Sequence, residues 1–429
     1  MRAHSHNLHV ECMMPSLVDL SHAVATAAIM PCVAIHTMLF DSSWKRARSE
    51  PRVISRDLPA QKELPNTLLM CAVVLMWFLQ LLPPRAAPLS LDTLDELAVL
   101  GAGPFGKVSV AKHKVTGQCF ALKSIAKASL TSPKLAHQAI RERNVLQTVR
   151  HPFIMAFYGS FQDASNVYMA SEFIQGGELW YHLFGNPSGP FQLDIHGIRF
   201  YAANIAAAIH GLHSHGVVYR DLKMENMMLD KSGYVKLIDM GFAKQMGNSS
   251  LSGSDRRVMT KCGTPEYMAP EVLTGDGYGI AVDYWALGVV LYEIATSGER
   301  LFYRDDGNDS KIMARIKAVK TEGLPTSEVF TRLHPDVRSF IHGLLAYDPA
   351  ERLGCTASGF QSIQDHALFR GHINWQALFA KRIPAPLVPH VTGPSDMRYF
   401  DVHPTCQDDF DDWSGCEVDP RIAAVFDEF

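Results

Sequence analysis

Between Val217 and Asp230 the chain reads VVYRDLKMENMMLD, with apolar residues on both sides of an acid, a lysine and an asparagine. Flanks of this kind belong to buried strands. Asp221, Lys223 and Asn226 must therefore be presented together on a loop that the interior holds in place. A solvated turn between two strands would carry the same polarity, and the stretch alone does not separate the two. The order of the features before and after it does, and that order confines the chain to few folds.

The chain has 429 residues, enough for two or three domains or lobes and a large core. Hydrophobic content of 47% and charged content of 20% are ordinary for a globular protein. A net charge of −4 gives no reason to expect nucleic-acid binding. The eight cysteines carry no CxxC pair or framework spacing. That argues against a secreted scaffold or a zinc site and suits a reducing, cytoplasmic setting. Residues 1–90 form an extension without clean periodicity. Within it LLMCAVVLMWFLQLL, 68–82, is almost wholly apolar and closed by Pro83 and Pro84. It falls short of the ~20 residues that span a bilayer and lies too far in for a signal peptide. A packing or partner-binding helix is expected there, with membrane association as the alternative. Arg2 stands where N-myristoylation requires glycine.

From Leu91 the texture changes. LDTLDELAVLGAGPFGKVSVAKHKVTGQCFALKSIAK reads as strand, glycine turn, strand, turn, strand, with Val108 and Val110 alternating with polar neighbours. SPKLAHQAIRERNVLQTV has helical spacing, and two more strands follow around MAFYGSF and VYMASEFI. After QGGELW the pattern is mainly helical, including IHGIRFYAANIAAAIHGLHSHG and the nearly all-round apolar VDYWALGVVLYEIATSG. The expected fold class is α+β and bilobal: a small β-rich lobe with one main helix, and a larger helical lobe. Clefts at such junctions hold ligands. The region beyond Phe369, rich in proline, aspartate and aromatics, reads as an extended strap.

The string GAGPFG contains Gly101, Gly103 and Gly106. In dinucleotide folds such a string opens a helix, but here the strand-like KVSVAKH follows. The glycines are therefore expected to close a hairpin whose N–H groups fold over phosphates. Lys123 in FALKSI is a cation within an apolar strand, and a buried ammonium needs a partner. Glu142 on the following helix can supply it. Asp239 in VKLIDMGFAK ends a strand, and with Asn226 it offers the hard oxygens that Mg2+ takes beside phosphates. Asp221 would accept or orient a hydroxyl proton, and Lys223 would neutralise a transferring phosphate. Phosphoryl transfer needs this positioning and charge neutralisation more than covalent help.

In this order GAGPFG, FALK, Glu142, YRDLKMEN and DMG, followed by GTPEYMAPE, resemble the eukaryotic protein kinase signature. YRDLK, GFAK, CGTPEYMAPE and the ending VFDEF are similar to the AGC group, and within it to the cAMP- and cGMP-dependent kinases. GGELW and KLIDMGFAK lean toward the cGMP-dependent branch, the closing Phe-x-x-Phe toward the cAMP-dependent one. The resemblance implies a kinase domain over 94–369 and an AGC-type tail over 370–429, transferring the γ-phosphate of ATP to Ser/Thr hydroxyls with Mg2+. It implies that Lys123 binds the α- and β-phosphates and pairs with Glu142, that Asp221 is the catalytic base, and that Asn226 and Asp239 hold Mg2+. Leu100, Val108, Ala121 and Met228 would sandwich adenine, and the backbone at Glu172 and Ile174 would meet its edge. Glu271 would pair with Arg352. Thr260 matches the activation-loop phosphosite, with Arg220 and Lys244 gripping the phosphate, and Thr264 would contact Asp221. Glu178, counted also among the ATP-binding positions, joins Glu225 and Glu293 where relatives bind substrate arginines. Protein substrates with basic Ser/Thr sites follow. Phe426 and Phe429 would plug a pocket on the small lobe, with no Ser or Thr after them to phosphorylate.

Several positions depart from that pattern. Met240 replaces the usual Phe after Asp239, Met224 replaces a proline, Pro104 stiffens the glycine turn, and Lys261 lines an otherwise apolar pocket. Ser171 is a small residue at the gatekeeper position, where its size is expected to open space behind adenine. Met259 and Met313 replace aromatic residues that dock a cyclic-nucleotide-binding regulatory subunit, so such a subunit is not expected to bind in the usual way. A pseudokinase or scaffold with impaired catalysis is the alternative function.

Overall fold

Alternating β-branched and aromatic residues between Leu94 and Glu172 build one antiparallel sheet. Its strands are β1 (Leu94–Gly103), β2 (Gly106–His113), β3 (Cys119–Ala126), β4 (Phe157–Gln162) and β5 (Asn166–Glu172), in the order β1-β2-β3-β5-β4. The register pairs Gly103 with Gly106, so the glycine string closes a hairpin and opens no helix. Glycine is required at position 106. Its φ is 156°, and a Cβ there would fall 1.8 Å from the Ser124 carbonyl oxygen.

One helix, α1 (Pro133–Thr148), packs against this sheet. Proline occupies its first turn, where a missing N–H costs nothing. Its buried face carries Ala136, Ala139, Val145 and Leu146, and with them Glu142. An acid on an apolar stripe has to find a cation, and that requirement places it at the site.

The helical part follows. α2 (Ile195–Ser214) is capped by Asp194, whose Oδ1 accepts from Gly197 N at 2.8 Å. α3 (Pro270–Thr274) ends at Gly275 in the left-handed conformation, φ 81°. α4 (Ala281–Ala295) is buried at every position, including the two acids Asp283 and Glu293 in its otherwise largely apolar sequence. α5 (Asp309–Glu322), α6 (Glu328–Arg332), α7 (Pro335–Leu344), α8 (Gln361–Gln364) and α9 (Trp375–Phe379) complete the large core, which runs from Val145 to Leu378. Between α2 and α4 the chain makes two short antiparallel pairs, β6 (Val217–Val218) with β9 (Lys244–Gln245) and β7 (Met227–Leu229) with β8 (Val235–Leu237). These frame the YRDLKMEN loop. The chain then returns to the sheet, ending in α10 (Pro420–Val425).

The structure is a computed structural model that describes residues 89–103, 106–187, 189–246, 258, 260, 263–275, 277–303, 308–402, 416–427 and 429. The chain divides into two units, Met1–Pro83 and Pro84–Phe429, and all described residues belong to the second. The apolar segment 68–82, Pro104, the GNSSLSGSD stretch at 247–255, Met259 and Lys261 lie outside the described residues.

Candidate active site

The polar loop is fixed from below by one carboxylate. Asp283 of α4, almost fully buried, accepts from Tyr219 N at 2.9 Å and Arg220 N at 2.8 Å, and His213 Nε2 lies 2.7 Å from its Oδ2. Arg220 has φ 70°, a left-handed conformation that is unfavourable for a non-glycine residue. These bonds hold it there and fix the position of the next residue, Asp221. Tyr219 clamps the other wall by donating its hydroxyl to Ile238 O at 2.5 Å. Burial first, then the carboxylates of Asp239, Asp221 and Asp283, push the Tyr219 hydroxyl well above its ordinary pKa. Three acids converge on one ring.

Asn226 Nδ2 donates to both Asp221 O and Asp221 Oδ2, each at 2.8 Å, and Lys223 Nζ sits 3.1 Å from the same Oδ2. The β7–β8 pairing continues one step further, with Ile238 N donating to Asn226 O at 3.0 Å. Asn226 is thereby set beside Asp239. Asp239 is itself left-handed, φ 54°, and its Oδ1 accepts from Gly241 N at 2.8 Å. Sites of backbone strain like these two gather where geometry serves chemistry.

A cleft of about 1070 Å³ opens beside these groups. It is lined by Leu100, Gly101, Gly103, Gly106, Val108, Ala121, Lys123, Glu172, Ile174, Glu178 and Met228, together with Asp239. Lys123 Nζ bonds both Glu142 oxygens, at 2.7 and 2.9 Å. Burial works to lower the Lys123 pKa, but Glu142 and then Asp239 outweigh it, so the ammonium is held above its ordinary value. The Glu172 carboxylate is committed elsewhere, bonding Lys236 Nζ at 2.5 Å and Ala156 N at 3.1 Å. Its backbone N–H is spent as well, on Ala156 O at 2.8 Å. Ser171, buried in the cleft wall opposite Ala121, leaves room beside Met155 and Met169. Met240 is buried in one cluster with Leu146 and Tyr219, with Phe157 packed against it, so a flexible thioether fills the space of a ring.

The YRDLKMEN and activation segments meet through a residue that the sequence reading passed over. Tyr278 donates its hydroxyl to Thr260 O at 2.5 Å, and Arg220 Nη1 donates to Tyr278 Oη at 3.2 Å. Thr260 itself is exposed. Lys244 pairs with Val218 across β6–β9. Thr264 lines one small pocket with Asp221, Arg220 and Tyr267.

Glu225 acts on both Glu178 and Glu293. Burial, then Glu225, raises the Glu178 pKa. Glu293 is pushed up to about 7, by burial first; Tyr267 and Arg300 oppose the shift, and Glu266 and Glu225 reinforce it. Away from the cleft, Arg352 grips Glu271 at 2.7 and 3.1 Å. Phe426 is fully buried against Ile125, Ala136, Ala139 and Met169, and Arg143 lies 4.9 Å from the centre of the Phe429 ring.

The sequence reading also missed the strap's own contribution. Arg398, Tyr399, Phe400 and Asp401 line the cleft, as do Trp180 and Tyr181. Phe400 packs on Phe173 with centroids 5.5 Å apart, and Tyr399 on His182 at 4.9 Å. Gly177 (φ 75°) admits this crossing, since a Cβ there would lie 2.6 Å from Tyr399 Cβ. The aromatic pair was visible in the sequence, but nothing local tied it to a linker more than two hundred residues earlier.

Residues 94–369 match the family model described as the protein kinase domain. Over 346 residues the chain is 38% identical to the RAC-beta serine/threonine-protein kinases of Mus musculus and Homo sapiens, covering 78% of this chain and 67% of each relative.

Proposed function

The chain belongs to the protein kinase family, as a serine/threonine kinase of the AGC group, and we propose that it phosphorylates Ser/Thr in protein segments bearing upstream arginines. What supports this reading is a cleft lined by Lys123, Asp239 and Glu178, with Asn226 joined to Ile238 beside Asp239 and hydrogen-bonded to Asp221. Protein kinases use ATP and typically Mg2+. Asn226 and Asp239 are two hard-oxygen donors, too few for a closed cage and suited to Mg2+, which completes its shell with phosphate oxygens and water. When bound, ATP supplies the γ-phosphoryl group and Mg2+ neutralises its charge.

The remaining work falls to the chain. Lys123, fixed by Glu142, meets the α- and β-phosphates. The glycine hairpin closes over them with backbone N–H groups. Leu100, Val108, Ala121 and Met228 enclose the base, and the backbone at Glu172 and Ile174 meets its edge. Asp221 orients the acceptor hydroxyl and takes its proton at Oδ1 or Oδ2, while Asn226 and Lys223 hold that carboxylate in position. Arg220 and Lys244 receive a phosphate on Thr260. Glu178, Glu225 and Glu293 favour guanidinium groups. The docked Phe426 and Phe429 stabilise α1. The AGC group is the level that the RAC-beta relatives support; the cyclic-nucleotide-dependent branch rests on the sequence motifs alone, and regulation by a cyclic-nucleotide-binding subunit forms no part of the proposal. Nor does nucleic acid. A cytoplasmic setting is proposed, with residues 68–82 as a partner-binding or membrane-associating segment. Among the described residues no helix is long and apolar enough to cross a membrane.

The test is transfer of labelled phosphate from Mg-ATP to an arginine-bearing serine peptide. Transfer by the wild-type chain and its loss in Lys123→Met are expected. No transfer by wild type, with ATP still bound, would favour the scaffold reading.

A further inference from the structure

The acidic face already holds a cation of its own. Arg300, a few residues beyond α4, donates from Nε to Glu266 Oε2 at 2.9 Å and from Nη2 to Glu266 Oε1. Two parallel bonds to one carboxylate are the mode in which a free arginine is recognised. The guanidinium also lies 3.9 Å from the centre of the Tyr303 ring, which fixes its plane. Glu266 and Glu293 are 8% and 7% exposed, so each is costly to leave without a counter-charge. They are not equally provided for. Glu266 has the two-point grip, whereas Glu293 Oε2 accepts only from the Tyr267 hydroxyl, at 3.1 Å, among the described residues. The face therefore has one carboxylate in a two-point grip and one that feels Arg300 as a nearby charge, with the Tyr267 hydroxyl as its hydrogen-bond partner among the described residues.

We infer that Arg300 is a resident rival of substrate arginines: it takes the guanidinium position on Glu266 and thereby limits how many substrate arginines the enzyme reads. This rests on the arginine-directed reading proposed above. In wild type, a first upstream arginine meets the open carboxylates of Glu293 and Glu225. A second gains little, because the carboxylate it needs is held by Arg300, which is tethered at no translational cost and therefore competes well. Removal of the Arg300 charge frees Glu266 for that second arginine. A residue with this role sets specificity without touching the reacting atoms.

The experiment compares one serine peptide scaffold carrying no upstream arginine, one, or two, with the pair scanned over the upstream positions. Wild type, Arg300→Met and Arg300→Met/Glu266→Gln are each assayed for kcat/KM. Methionine keeps an apolar stem over Tyr303. The readout is the ratio between peptides on a single preparation, so any loss of folded enzyme cancels. Wild type should gain from the first arginine and little from the second at every spacing. Arg300→Met should gain about tenfold more from the second at one spacing, in line with a charged hydrogen bond, and the double variant should lose that gain. If Arg300→Met gains no more than wild type, or gains less, Arg300 is a structural support and the inference is overturned. If wild type gains from the first arginine in that case, the arginine-directed reading survives. If neither enzyme gains from any arginine, both fall together.

Discussion

Two ion pairs of the same chemistry serve opposite ends in this molecule. Lys123–Glu142 stands at the cleft, with the lysine side chain 36% exposed and a second acid, Asp239, drawing on the same ammonium. Arg352–Glu271 lies in the helical core with the arginine fully buried. Arg352 spends further donors on Ala281 O at 2.8 Å and Ala346 O at 3.1 Å, and it sits 5.2 Å from the Trp285 ring. The first pair has capacity left to meet a ligand. The second has none. An ion pair's job thus follows from what its partners leave unsatisfied, and the choice of lysine for one and arginine for the other fits this: a point charge to share, and a planar fork to satisfy completely.

The largest effect expected is on activity. Lys123→Met should lower kcat by roughly 10²–10³, the range for loss of a donor that stabilises developing charge, and the urea midpoint should fall less than in Arg352→Met, because loss of a lysine 36% exposed opens Glu142 to the cleft. Should it unfold the protein instead, the contrast between the pairs breaks. Arg352→Met reverses the pattern. It strands Glu271 and should cost about 3–5 kcal/mol of stability, read by denaturant titration, with the activity of the folded fraction retained.

Phe426→Ala sharpens the comparison by reaching the cleft pair from a distance. Phe426 packs on α1, and α1 carries both Glu142 and Gln138, whose Nε2 donates to Gly241 O at 3.0 Å. Truncating a buried Phe costs about 3–5 kcal/mol, but local undocking of α10 caps the loss. Faster amide exchange in α10 and α1 is expected, with a several-fold fall in kcat and no change in the core around Arg352.

The smallest effect concerns Glu293, a buried acid with no such pair among the described residues. Its pKa near 7 means that the carboxyl carries a proton below that pH and offers no charge to an arginine; above it the carboxylate is ready. KM for an arginine-bearing peptide should therefore rise as pH falls through 7, by up to about tenfold per unit. Tyr267, Arg300, Glu266 and Glu225 set that position, and Glu293→Gln should flatten the profile. An unchanged profile in that variant would assign the titration to another group.

Strands, helices and their order were legible because their periodicities are local. The hairpin at Gly101–Gly106 could be told from a helix-opening turn by the strand-like residues after it, and the nearly all-round apolar run at 281–295 pointed to a buried helix. Glu142 was legible for a related reason: an acid on an apolar stripe must answer a buried lysine. Asp283 was not. Its role is to accept two backbone N–H bonds from a loop sixty residues away, and no side-chain pattern announces an acceptor for backbone. Arg300 and Tyr278 belong to no local motif that singles them out. The same holds for Arg398 to Asp401, whose place at the cleft depends on where the strap crosses.

The sequence by itself determined which groups do the chemistry, since Lys123, Asp221, Asn226 and Asp239 are chosen by residue type and framed by periodic neighbours. Tertiary structure alone decided what holds those groups still and what reaches them from afar: the carboxylate under the loop, the strap on the cleft, the guanidinium on Glu266. The physical reason is range. Periodicity and turn chemistry act over a few residues, whereas a backbone acceptor or an aromatic crossing is defined only once segments far apart in the chain have packed together.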